Sequence, residues 1–104
     1  MFEEFMREAE HIKEQILEYY SPLKIILFGS LAKKHIKISS DIDICVVIET
    51  ENKSALVKEM YSKIDSSKPF DLVIYTPEEW QEYKDNTMSF VHCICKEGEV
   101  IYGG

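Results

Sequence analysis

Apolar residues at Phe2, Phe5, Met6, Ala9, Ile12, Ile16, Leu17 and Tyr20 recur every three or four positions, which predicts an amphipathic helix over 2–20 that stops before Pro22. The period then shortens. Continuous apolar runs predict strands at 24–28 and 41–48, separated by a short helix from Ser30 and a loop through Ser39. Leu56, Val57, Met60 and Ile64 return to helical spacing, and Pro69 opens a third strand over 70–75. Thr76-Pro77-Glu78-Glu79 combines an N-cap, a proline at the first helical position and a capping-box glutamate, so a helix carrying Trp80 and Tyr83 begins there. A last helix spans 88–96, is stopped near Gly98, and gives way to a short strand over 99–102. The sum is an α/β chain.

Chemistry concentrates where two of these elements meet. Gly29-Ser30 ends the run Ile25-Ile26-Leu27-Phe28, and ten residues later Asp41-Ile42-Asp43 heads the next run. Alternate residues of a strand project from one face at a rise of roughly 3.3 Å each, so Asp41 and Asp43 share a face with Cα atoms about 7 Å apart. Two such charges repel by about 1 kcal/mol in water and about 4 at an effective dielectric of 20. A divalent cation relieves that repulsion, and Mg²⁺ characteristically combines one or two carboxylates with water and substrate phosphates. Gly29-Ser30 supplies a place for those phosphates, because glycine permits close backbone approach and the following turn presents N–H groups and a hydroxyl. Ser40 either contacts phosphate or caps the turn before Asp41. Asp71, near the start of the third strand, is the candidate third carboxylate.

The phrase Leu27-Phe28-Gly29-Ser30-Leu31-Ala32 through Ser39-Ser40-Asp41-Ile42-Asp43, with a later aspartate, resembles the nucleotidyltransferases of the DNA polymerase beta superfamily, and most closely the minimal nucleotidyltransferase (MNT) domains. The resemblance runs from about Leu23 to Gly104. It implies a small nucleotidyltransferase fold with a mixed sheet flanked by helices and the site at strand ends. It also implies two Mg²⁺ ions, the first two aspartates bridging both and the third binding the catalytic ion and helping to activate the incoming hydroxyl; Asp41, Asp43 and Asp71 match these positions. The expected site is therefore Asp41, Asp43 and Asp71 as catalytic and metal-binding residues, with Gly29, Ser30 and Ser40 on the nucleotide. One departure stands out: where the family often has a second glycine, in G-S-x-A-x-G, this chain has Lys34. Lys33, Lys34 and Lys37 are either triphosphate contacts or solvated surface charges, and His35 reads as an exposed loop residue.

Composition limits the rest. A chain of 104 residues supports a single domain over 1–104, with no room for a separate acceptor domain. A net charge of -7 argues against direct nucleic-acid binding, which depends on basic residues. Three cysteines, with Cys45 inside a core strand, argue against a disulfide framework and for a reducing compartment. His92, Cys93 and Cys95 diverge on a helix and lack an evident fourth ligand, so they read as helix residues with at least one cysteine buried rather than as a zinc site. No signal peptide or membrane span is apparent, which predicts a cytoplasmic protein.

MNT domains commonly act as antitoxins, so the resemblance implies transfer of AMP from ATP to a tyrosine of a HEPN-domain ribonuclease toxin. Two alternatives differ in class: a non-catalytic antitoxin that binds and occludes its toxin, and a small-molecule adenylyltransferase of the aminoglycoside type.

Overall fold

The computed structural model describes residues 2–32 and 41–103. Helix α1, Phe2–Tyr19, buries Phe5, Ala9, Ile12 and Ile16 along one stripe and carries Glu3 and Glu4 in its first turn, where the helix dipole favours negative charge. Four strands follow among shorter helices: β1 Lys24–Phe28, α2 Gly29–Ala32, β2 Ile42–Val47, α3 Lys53–Lys63, β3 Phe70–Tyr75, α4 Pro77–Tyr83, α5 Phe90–Glu97 and β4 Glu99–Tyr102. The strand order is β3-β2-β1-β4. β1 runs antiparallel to both β2 and β4, whereas β2 and β3 are parallel, as a crossover through α3 requires. The expected mixed sheet is the one observed.

Helices cover both faces. On one, Phe5, Ile12 and Ile16 of α1 and Met60 of α3 pack against Ile25, Leu27, Ile44, Val46 and Leu72. On the other, Trp80 of α4 and Val91 and Ile94 of α5 pack against Ile26, Cys45 and Val47. This explains why β2 reads as a continuous apolar run: a central strand buried on both faces has no polar alternation.

The local signals translate closely. Thr76 and Glu79 form the reciprocal capping box, Thr76 Oγ1 accepting from the Glu79 N–H at 3.2 Å and Glu79 Oε1 from the Thr76 N–H at 2.9 Å. Two expectations need correction. The last helix begins at Phe90, because the Ser89 hydroxyl caps it by accepting from the His92 N–H, and this leaves Met88 outside the helix and 91% exposed. Cys93 and Cys95 are both exposed, because Val91 and Ile94 occupy the inward stripe of α5. Cys45 is buried as expected, and its thiol is pushed up to about 12 by burial and the neighbouring Cys95. Among the described residues no helix is long and apolar enough to cross a membrane.

Candidate active site

Register brings the predicted carboxylates together. Asp43 lies opposite Phe28 on β1 and level with Asp71 on β3, so β2 carries it between the end of one strand and the start of another. Neighbouring strands are about 4.8 Å apart, which puts Asp43 and Asp71 side by side on one face. Strand alternation assigns that face to Cys45 and Val47, the side covered by α4 and α5. Asp41, directly before β2, is exposed; Asp43 is half-buried; Asp71 is exposed.

Their electrostatics record the crowding. Partial burial pushes the Asp43 carboxyl above the ordinary range, and the charges of Asp71 and Asp41 push it further. Asp71 is also raised, first by desolvation, then by the charge of Asp41 and by a hydrogen bond with that side chain. Three carboxylates, Asp43 and Asp71 on adjacent strands and Asp41 just before β2, thus share one electrostatic environment.

Gly29 closes the other side. It has a φ of +76°, in the left-handed region that L side chains avoid, and a β-carbon there would collide with the Asp43 carboxylate. Glycine is therefore favoured by the backbone conformation, and a β-carbon would in addition force the Asp43 carboxylate to shift. Ser30 follows as the second residue of α2. Ser40, Lys33, Lys34, His35 and Lys37 lie outside the described residues.

The donor set fits a hard cation. Asp41, Asp43 and Asp71 contribute carboxylate oxygens, and burial together with the charges of their neighbours raises the proton affinity of Asp43 and Asp71. Among the described residues no group of three or more His, Cys, Asp or Glu side chains is already drawn together as a metal cage.

Two features next to the carboxylates carry no sequence signal of their own. Phe28, opposite Asp43, meets Phe90 of α5 edge-to-face with ring centroids 5.6 Å apart, walling the site on its apolar side. Tyr61 of α3 touches both chain neighbours of Asp71. Phe28 could have been singled out only by its place before Gly29, and Tyr61 only from the packing of α3 on β3. A separate concavity of about 490 Å³, lined by Thr50, Glu51, Asn52, Ala55, Leu56 and Glu59, lies beyond the far end of β2. It holds none of the candidate site residues.

Comparison with known proteins bears on the fold and the family. A presumed nucleotidyltransferase of Sulfolobus solfataricus, solved at 1.40 Å, superposes with a TM-score of 0.64 at 22% identity, over 97% of this chain and 85% of that one. A chain of a structure described as the toxin-antitoxin with AMP-PNP superposes with a TM-score of 0.56 at 24% identity, over 91% of this chain and 73% of that one. Both likenesses are of fold. A search of curated protein sequences gave no match. The family model for polymerase beta nucleotidyltransferases matches residues 10–104, which extends the resemblance back into α1. The chain belongs to the polymerase beta nucleotidyltransferase family.

Proposed function

We propose that this protein is a Mg²⁺-dependent antitoxin that transfers AMP from ATP to a tyrosine hydroxyl of a HEPN-domain ribonuclease toxin in the cytoplasm, acting as a single domain. The observation that carries the reading is the convergence of Asp41, Asp43 and Asp71 at one end of the sheet against Gly29. Family membership supports nucleotidyl transfer, and the fold shared with a toxin-antitoxin structure supports the choice of partner.

Asp41 and Asp43 would hold two Mg²⁺ ions, and Asp71 one of them. Bound there, the ions would neutralise charge on the entering and leaving oxygens of an in-line displacement. By the sequence motif, Gly29, Ser30 and Ser40 would contact the nucleotide's phosphates. Asp71, at the edge of the cluster, takes the proton from the tyrosine hydroxyl. The hydroxyl oxygen forms a new bond to the α-phosphorus, the α–β phosphoanhydride bond breaks, and pyrophosphate leaves. The product is a phosphodiester, whose negative charge disfavours the RNA phosphate that the toxin must bind.

The test is the intact mass of a co-expressed toxin after incubation with ATP and Mg²⁺. Mass gains in whole AMP units, lost with Asp41→Asn/Asp43→Asn, are expected. An unmodified toxin held in a stable, inactive complex would replace this reading with neutralisation by binding.

A further inference from the structure

We infer that Tyr61 is a positioning residue for Asp71, holding that carboxylate in the cluster against repulsion from its neighbours. The inference rests on the reading of Asp71 as a site carboxylate.

Among the described residues β3 is an outer strand of the sheet, paired through its ladder only to β2. Its outward N–H groups face no further strand among the described residues. Asp71 sits near the start of this strand and is exposed. The charge of Asp41 acts on it, and its own charge acts on Asp43. Like charges in this arrangement push Asp71 away from Asp43 and Asp41, against the ladder that ties β3 to β2.

Tyr61 grips the chain on both sides of Asp71. Its hydroxyl accepts a hydrogen bond from the Leu72 N–H at 2.7 Å, and its ring lies against Phe70 with centroids 5.3 Å apart and planes tilted by 35°. Phe70 and Leu72 turn their side chains to the face covered by α1 and α3, which leaves Asp71 pointing to the opposite face, with Asp43. The grip is anchored. Met60, next to Tyr61, is fully buried, so α3 is fixed to the core at that point. Tyr61 itself remains 43% exposed. A phenylalanine would keep the ring contact and lose only the hydrogen bond.

Tyr61→Phe separates positioning from simple support. Two readings are taken on the intact protein: the rise in melting temperature on adding Mn²⁺ or Mg²⁺ without nucleotide, and the cation concentration giving half-maximal nucleotidyl transfer. Losing one hydrogen bond to the chain beside a ligand is expected to raise the half-maximal concentration about 3- to 10-fold and to shrink the cation-induced rise. Tyr83→Phe, at an exposed tyrosine of α4, should leave both unchanged. A Tyr61→Phe protein that melts lower but responds to cation like the wild type would overturn the inference and leave a structural role. A wild type that itself shows no cation response would overturn the metal reading and this inference together.

Discussion

The two ends of β2 handle charge in opposite ways. Beyond its last residue, Val47, lies a carboxylate that is neutralised: Glu79 pairs with Lys53 at 2.8 Å and closes the Thr76 capping box. The hydrogen bond from Lys53 and that from the Thr76 N–H hold the Glu79 carboxyl below its ordinary value. At the first residues of the same strand, Asp43 is raised by burial and by Asp71 and Asp41. Both groups are carboxylates beside the same sheet. The difference teaches that one end is arranged for stability and the other holds a repulsion that folding alone does not relieve, as functional sites commonly do.

Glycine offers the sharpest way to break the comparison, because each end has one in the left-handed region. Gly29 follows β1 at the carboxylate end, and Gly103, with a φ of +79°, sits where a β-carbon would collide with the Leu23 carbonyl near the start of β1. Substitution by alanine at either position is expected to lower stability by about 1–3 kcal/mol from backbone strain and crowding. Only Gly29→Ala displaces the Asp43 carboxylate, so only it should also reduce nucleotidyl transfer, by tenfold or more, and blunt the response to cation. Melting curves with and without Mg²⁺, set beside transfer rates, check both halves. Equal losses of activity in the two variants would remove the special standing of the carboxylate end.

Acidity gives a smaller effect with opposite signs at the two ends. Asp43 and Asp71 have folded-state values above their unfolded ones, so the stability they add when protonated is fully present below the ordinary aspartate range and is lost as pH rises through the raised values. Glu79 is lowered, so its contribution is present above the ordinary glutamate range and is lost as pH falls through its depressed value. In metal-free buffer Asp43→Asn should flatten the loss of stability on raising pH from the acid range toward neutrality. Glu79→Gln should instead flatten the loss on acidification. Urea unfolding across that range measures both slopes.

Much of this was legible in the sequence because the signals are local. A stripe of apolar residues at helical spacing announces α1, and Thr76-Pro77-Glu78-Glu79 announces the start of α4 through hydrogen bonds that span three residues. Gly29 and Asp43 were recognisable by type and spacing, yet their contact was not, because it depends on the antiparallel register of β1 with β2. The pairing of Asp43 with Asp71 likewise depends on a parallel register set by packing across α3. Tyr61 was invisible for the same reason: its partners are eleven and nine residues away on another element. The exposure of Cys93 and Cys95 is not legible in the sequence because α5 is short and offers two apolar stripes, of which the packing selects Val91 and Ile94.

The most direct test of the carboxylate end is calorimetric titration of the metal-free protein with a non-hydrolysable ATP analogue, with and without Mg²⁺, alongside Asp43→Asn. Binding that strengthens at least tenfold with Mg²⁺ in the wild type, and does not in the variant, is the predicted result. Wild-type binding indifferent to Mg²⁺, or a variant that keeps the full Mg²⁺ dependence, would contradict the assignment of Asp43 and its neighbours to a cation-nucleotide site.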